Sequence, residues 1–292
     1  MRLHFQDRGR AALEVEQVFN QSTVTTSFAT NPMKLLTPRS RGQCVCTYAS
    51  NFGGGLVAGD QTRLDLRVGA QARCFLGTQA STKVYRNPHR LPCGHATSAS
   101  IEAGGLLVFA PAPVQPFAQS SYEQRQQFEL GPEAGLVLLD WFTAGRAACG
   151  ERWSFAHFST RNEVWRKPAR GPDGVNHELD KAGRELLFVD ASSLDESEGP
   201  LNARHRTGRF NCFAMLLLIG APVQEAAKRA LLEVQHLGIK RRQSLLACAS
   251  PLQDGTLLRL AGEEVAEVEQ SVRRYLAPVA ECLGDDPWSR RN

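Results

Sequence analysis

The sequence predicts a mainly β fold that carries two helices near its C-terminal end. From Ala11 to about Ala191, short apolar or alternating segments recur, and turns rich in Gly and Pro separate them. Many short strands at such spacing are typical of a sandwich, a barrel or a solenoid-like β architecture. No sequence repeat of fixed length is visible, so the sequence does not predict a regular solenoid.

The candidate strands are short and are each bounded by a turn signal. The clearest is Thr62–Val68, in which apolar and polar residues alternate with the period of a strand. The full set is Ala12–Val18, Gln43–Tyr48, Thr62–Val68, Ala72–Thr78, Thr82–Arg86, Ala99–Ala103, Leu106–Ala110, Gln124–Leu130, Leu136–Phe142, Arg152–Phe158 and Leu186–Val189.

Two later segments have a helical pattern instead. In Pro222–Leu237 and in Glu263–Leu283, apolar residues recur every three or four positions, which places them on one helical face. Gly238 can end the first helix, and Pro278 is expected to kink or end the second.

Loops are predicted for Lys167–Lys181, which is rich in Gly, Pro and charge, and for Ser192–Gly208. No linker divides the chain convincingly. The prediction is therefore a single domain over residues 1–292.

Composition argues against several classes of protein. The net charge of +4 is mild, and the densest basic cluster, Lys240 to Arg242, follows a predicted helix end, so nucleic-acid binding is not expected. The first residues lack the apolar region of a signal peptide, and the longest apolar stretch, Phe213–Val223, is too short to span a bilayer. We therefore expect a cytoplasmic protein without membrane contact, whose eight cysteines are reduced thiols.

The stretch "GGGLVAGD", Gly53 to Asp60, has the glycine content of a phosphate-binding loop. Its last glycine is followed by Asp60, where a P-loop requires Lys and then Ser or Thr. A strand pattern follows, whereas a nucleotide site needs a helix N-terminus. The stretch is interpreted as a turn between strands that presents one carboxylate.

Ser81 and Lys83 lie in the densest polar cluster, "TQASTKVYR". On a strand they would share a face, so a Ser–Lys hydrolase dyad is one hypothesis. The favoured alternative is that Lys83 pairs with a carboxylate such as Asp60, because no oxyanion-hole motif accompanies the dyad.

Asp140, Arg146 and Glu151 are predicted to lie around one turn in "LLDWFTAGRAACGE". The two carboxylates could act as general acid and base or as ligands to a cation. A buried pair between Arg146 and a carboxylate is equally compatible with the sequence.

Two other groups have residue types that bind metals. His89, Cys93 and His95 have metal-type spacing in a loop, although short patterns of this kind often mislead. Cys44 and Cys46 place two thiols on one strand face, where packing in the core is the default interpretation.

Four segments resemble one known family. "GGGLVAGD", "TQASTKVYR", "PAPVQPFAQSSYEQR" and "DWFTAGRAACGERWSF" occur in this order between about Asn51 and Phe155 and resemble the urease accessory protein UreD (UreH) family. A looser similarity continues in "ELLFVD". Ala58 stands where many members have glycine, and Gly77 stands where threonine is frequent.

The resemblance implies a fold and a function. The fold is an elongated, β-helix-like array of many short strands, with two α-helices in the C-terminal third. The function is that of a non-enzymatic scaffold, which docks on the urease apoprotein, recruits UreF and the GTPase UreG, and helps nickel reach the urease active site. Nickel is then a cargo in transit, and no tightly bound cofactor is implied.

The resemblance also implies roles for individual residues. A conduit needs ligands that release the ion, and carboxylates bind nickel less tightly than thiolate or imidazole clusters. Transient nickel ligands are thus implied at Asp60, Asp140, Glu151 and, more loosely, Asp190, with Thr82, Lys83 and Arg146 as a polar cluster. A structural Asp60–Lys83 pair, the Ser81–Lys83 hydrolase and a generic β-rich binding module remain alternatives.

Overall fold

Strands dominate the chain, as the sequence predicts. The computed structural model describes residues 9–39, 41–91, 93–167, 180, 183–238 and 242–288. The strands are β1 (Arg10–Val18), β2 (Gln21–Ala29), β3 (Met33–Leu36), β4 (Val45–Asn51), β5 (Gly55–Leu56), β6 (Gln61–Val68), β7 (Arg73–Thr78), β8 (Thr82–Val84), β9 (Gly94–Ile101), β10 (Leu106–Phe109), β11 (Val114–Pro116), β12 (Ser121–Leu130), β13 (Gly135–Thr143), β14 (His157–Arg166), β15 (Glu185–Asp195), β16 (Cys212–Ile219), β17 (Leu245–Leu252) and β18 (Gly255–Gly262), and the α-helices are α1 (Gln224–Gln235) and α2 (Val265–Leu283).

The chain winds in stacked coils. Each coil gives one strand to a first sheet and the next to a second, so that β6 precedes β7, β9 precedes β10 and β12 precedes β13. Strands β1, β6, β9, β12 and β14 of the first sheet pair in parallel, as do β4, β7, β10 and β13 of the second. The short parallel strands β5, β8 and β11 form a narrow third face. This solenoid-like stacking confirms the predicted β-helix-like array.

Antiparallel strands complete both sheets. In the first sheet β2 and β15 lie at the two edges, and in the second sheet β3 lies at one edge while β16, β18 and β17 extend the other. The parallel coils are thus flanked on each side by hairpin-like pairs.

Strand β13 is buried on both faces. Leu136 and Leu138 pack in the core between the two sheets, whereas Val137 and Leu139 pack in the core that α1 and α2 cover. A strand covered on both faces has a nearly continuous apolar sequence, as β13 does apart from Asp140. The molecule therefore has three layers: first sheet, second sheet and helices.

Both predicted helices are confirmed, and of the two effects expected of Pro278, a kink or an end, the structure excludes the end. The helix continues to Leu283 and ends at Gly284, which has a left-handed φ of 66°. Val279 and Leu283 are fully buried against the second sheet. This packing outweighs the one backbone hydrogen bond that a proline removes. None of the helices in the described ranges has the length and apolar character required to cross a membrane.

Two other boundaries are also wrong. The predicted strand Arg152–Phe158 is mostly a turn in which Trp153 has a φ of 55°, and the strand itself is β14. The apolar residues that suggested the strand fill a small aromatic core from this turn. The predicted loop Ser192–Gly208 begins inside β15, and most of the predicted loop Lys167–Lys181 lies outside the described residues.

Candidate functional site

The inward face of the first sheet is polar at one end. Every second residue of a strand points inward, and the parallel register aligns such residues across β6, β9, β12 and β14. The two resulting polar rungs are Thr62–His95–Gln124–Thr160, and Leu64–Thr97–Gln126–Asn162, in which Leu64 is the one apolar member.

Asp140 faces these rungs from β13. Its side chain is buried and accepts hydrogen bonds from Gln124 Nε2 at 2.9 Å, Thr160 Oγ1 at 2.7 Å and Asn162 Nδ2 at 2.7 Å. No described cation forms an ion pair with it. Burial raises the pKa of the Asp140 carboxyl, and the three hydrogen bonds oppose that rise because they favour the charged form.

A cavity of about 100 Å³ lies beside this carboxylate. Its lining includes Gly54 and Gly55 from the glycine turn, Thr82 from β8, and Asp140. Because Gly54 is exposed and Asp140 is buried, the cavity connects the surface to the carboxylate. Several water molecules fit in it, since one water needs only about 10–15 Å³ of such volume.

His95 also lines the cavity, but its ring is engaged. Nδ1 lies 2.8 Å from Thr62 Oγ1, and Nε2 lies 3.0 Å from Thr97 Oγ1. Burial lowers the pKa of His95 to about 4, so the imidazole is neutral near pH 7. The cavity therefore offers hydroxyl, amide and neutral imidazole groups around a single carboxylate.

The glycine turn forms the outer part of this cavity. Gly53 and Gly54 have φ values of 82° and 71°, which glycine adopts without strain. A Cβ on Gly55 would lie 2.5 Å from the carbonyl oxygen of Lys83, so only glycine allows β5 to approach β8 this closely. The interpretation of "GGGLVAGD" as a turn between strands is confirmed in part, because the short strand β5 divides the stretch into two turns.

A family model described as UreD urease accessory protein matches residues 7–291. The chain belongs to the UreD family. A urease accessory protein UreD of Sorangium cellulosum is 40% identical over 284 residues, which cover 97% of this chain and 84% of the relative. A UreD of Anaeromyxobacter is 36% identical, with 97% and 89% covered. Urease accessory protein D of Arabidopsis thaliana is 28% identical, with 94% and 98% covered.

The family resemblance predicted from the four quoted segments is thus confirmed. It places this UreD chain among the accessory proteins of urease maturation. The matched residues extend on both sides of those segments and include the late strands and helices.

Within this UreD chain, Asp60 does not line the cavity. Its Oδ2 accepts a hydrogen bond of 2.8 Å from the Val57 backbone amide, which closes the glycine turn. The expected Asp60–Lys83 pair is wrong: the Lys83 side chain is exposed, and no ion pair joins these two described residues.

Lys83 and its neighbours on β8 point in opposite directions. Thr82 and Ser81 line the cavity, whereas Lys83 lines an outer groove of about 710 Å³. Ser81 precedes β8 and does not share a face with Lys83, so the Ser–Lys dyad, the less favoured of the two hypotheses, is wrong. An exposed lysine also lacks the burial that would activate it as a base.

Arg146 and Glu151 form the expected ion pair, but the pair is not buried. The side chains are 42% and 24% exposed, and the Arg146 guanidinium lies 4.3 Å from the centre of the Phe117 ring. The hydrogen bond from Arg146 lowers the pKa of Glu151. Asp140 lies inside β13 and contacts neither residue of this pair, so the prediction that one turn holds all three is wrong.

Asp190 does lie near the buried carboxylate. It is the register partner of Asn162, whose amide donates to Asp140. Its own partner is Arg259 on β18. Its negative charge contributes to the raised pKa of Asp140.

The three potential ligands predicted in one loop, His89, Cys93 and His95, do not form a metal site, and His95 lies in β9. His89 is exposed in a turn, His95 is held by threonines, and burial raises the pKa of Cys93 to about 12. Among the described residues, the potential metal ligands that come together are Cys44, Cys46 and Asp285.

The hydrogen-bond partners of Asp140 were missed by sequence reasoning. In "SYEQRQQFEL", Gln124 and Gln126 have the same parity as Phe128 and Leu130, which marks polar residues at inward positions. A polar residue in the inward set of an otherwise apolar pattern is the signal that was available. Asp140 gives the same signal in β13.

Proposed function

We propose that this chain is a non-enzymatic scaffold of urease maturation that passes nickel through its polar cavity. In this proposal it acts in the cytoplasm, docks on the urease apoprotein and recruits UreF and UreG. Nickel is a cargo, and no cofactor is held tightly in the cavity. Membership of the UreD family supports the maturation role. The observation that carries the conduit is the buried Asp140, which lines a cavity with room for several water molecules that also reaches the exposed Gly54.

The donor set of the cavity suits an ion that must leave again. Hydroxyl and amide oxygens with one carboxylate are weak ligands for nickel, which binds imidazole and thiolate more tightly. The His95 nitrogens are occupied by Thr62 and Thr97, and the nearby Cys93 remains a thiol. Water in the cavity fills the remaining coordination positions.

The balance between the neutral and the charged form of Asp140 suits the temporary binding of a nickel ion. Burial favours the neutral acid, and a nearby divalent cation favours the carboxylate. The three hydrogen bonds occupy three of about four lone-pair positions and leave one for the ion. A nickel ion bound at this position would therefore favour the carboxylate over the neutral acid.

The four acidic residues suggested by the sequence enter this proposal in an order set by their positions. Asp140 is the central ligand. Asp190 is the next ligand, because it is the register partner of Asn162, whose amide donates to Asp140. Asp60 and Glu151 lie outside the cavity lining and act as accessory ligands near the surface.

The test is the nickel content of urease matured in vitro with Asp140→Asn, which removes the charge and nearly keeps the shape. We expect at least about a tenfold lower rate of nickel delivery, equivalent to about 1.4 kcal/mol. Asp65→Asn is the matched control, because Asp65 lies on the outer face of β6 and pairs with Arg63. Asp60→Ala should give an intermediate loss.

Assembly and folding are measured in parallel. Co-purification with UreF and urease should be unchanged in Asp140→Asn. Its thermal midpoint should fall modestly, because the new amide nitrogen meets a side chain that donates to Asp140. Equal nickel delivery by Asp140→Asn and Asp65→Asn would reject the conduit. Loss of assembly or a large fall in the midpoint would instead assign Asp140 a structural role.

A further inference from the structure

Cys44, Cys46 and Asp285 bring three potential ligands together from distant parts of the chain. The two Sγ atoms lie 3.6 Å apart, and Cys46 Sγ lies 3.8 Å from Asp285 Oδ2. All three ligand atoms lie within 4.8 Å of one another. Both cysteines are fully buried beneath α2, whereas Asp285 is partly exposed.

The segment that carries Asp285 is fixed against β4 by other contacts. A Cβ on Gly42 would lie only 2.0 Å from the Gly284 carbonyl oxygen, so the two backbones touch directly. Tyr48 donates a hydrogen bond of 2.9 Å to the Pro287 carbonyl. Trp288 packs edge-on against Phe75, with ring centres 5.5 Å apart. The positions of the three ligands are therefore set by the fold.

We propose that Cys44, Cys46 and Asp285 bind a zinc ion that ties the segment after α2 to the start of β4. A tetrahedral zinc with Zn–S bonds of about 2.3 Å places its two sulfurs about 3.8 Å apart, close to the observed separation. The same geometry places sulfur and carboxylate oxygen about 3.5 Å apart. The partly exposed side of Asp285 provides the entry path and the position of a fourth, water ligand. The site is separate from the polar cavity, so the test of zinc binding does not depend on whether nickel passes through that cavity.

Zinc binding here releases protons. A cysteine thiol must lose its proton before it binds zinc as a thiolate. Each zinc then displaces two protons as both thiols become thiolates. The apparent affinity should rise by up to about 100-fold per pH unit, because two protons enter the binding equilibrium.

The experiment measures zinc bound by the full chain, purified under reducing conditions and dialysed against micromolar zinc. We expect about one zinc per chain, and cobalt as a replacement should show thiolate-to-metal charge-transfer absorption. Cys44→Ser and Cys46→Ser should each retain less than about a tenth of the metal. Asp285→Asn, which keeps the shape of the side chain, should weaken binding at least about tenfold, since even outer-shell substitutions cost 10–100-fold.

Cys248→Ser is the matched control, because Cys248 is an exposed thiol, and it should bind zinc as the unchanged chain does. The thermal midpoint of each metal-free variant reports whether it is folded, and Asp285→Asn tests the site if a cysteine variant does not fold. Absence of zinc from the folded chain would overturn the proposal. So would equal binding by Asp285→Asn or a Cys44–Cys46 disulfide in the reduced preparation.

Discussion

The two ends of the first sheet differ although the same four strands build both. At one end the inward positions of β6, β9, β12 and β14 carry the polar rungs that face Asp140 and the cavity. The next inward rung lies two residues beyond Leu64–Thr97–Gln126–Asn162 on each strand. It consists of Leu66, Ala99, Phe128 and Val164, and it is buried and apolar. Since the backbone pairing is the same, the side chains alone decide whether the space between the sheets admits water.

This comparison separates stability from function. Apolar rungs gain free energy by excluding water, in proportion to the area buried. Polar rungs give up part of that gain to hold a carboxylate in place. Substitutions at the two ends should therefore affect different measurements.

The largest expected effect on stability is at the apolar end. Phe128→Ala should lower the free energy of unfolding by about 3–5 kcal/mol, because Phe128 is fully buried and packs edge-on against Phe109 at 5.6 Å. Denaturant titration measures the change.

Gln126→Ala, two residues earlier on β12, is the comparison variant. It should cost about 1–3 kcal/mol, since it leaves the Asn162 amide oxygen without the hydrogen bond from Gln126. Equal costs for the two variants would mean that the ends do not differ in the way proposed.

A smaller and pH-dependent effect is expected from Gln124→Leu. This change removes one donor to Asp140 and raises the pKa of that carboxyl further. An acid with a raised pKa binds more protons in the folded state, so stability falls as pH rises through its unfolded pKa of about 3.9. Loss of the acceptor for the buried Tyr122 hydroxyl adds a cost that does not depend on pH. The pH-dependent part of the cost of Gln124→Leu should be small near pH 4 and reach about 1.5–3 kcal/mol near pH 8.

Unfolding in urea at several pH values measures this cost. Gln127→Leu, on the outward face of the same strand, should show no such pH dependence. A cost for Gln124→Leu that does not change with pH would show that Asp140 has the same charge in the folded and the unfolded state over this pH range.

Some elements were predictable because their pattern is local. The alternation in Thr62–Val68 and the helical spacing in Glu263–Leu283 each identify an element without knowledge of its neighbours. The sequence predicts no element for the apolar run "CFAMLLLI" of β16, since a short apolar run fits a buried strand and a buried helix equally well.

The site was predictable only in part. Asp140 was selected as a charged residue, but its partners come from β12 and β14 through parallel register between coils. That register is a property of the stacked chain and leaves no local pattern. For the same reason the sequence allows a pair between Lys83 and Asp60, although the structure holds Asp60 in a turn of its own.

The smallest expected effect is that of Glu151→Gln. Glu151 is bound by Arg146 at the outer groove and lies outside the cavity lining, so its carboxylate is an accessory ligand at most. We expect nickel delivery within about twofold of the unchanged chain, and no measurable change in the thermal midpoint, because exposed ion pairs contribute little to stability. Nickel content of urease matured in vitro, measured beside Asp140→Asn, makes the comparison. A loss as large as that of Asp140→Asn would place the nickel path along the outer groove, and the polar rungs would then serve only to hold the two sheets together.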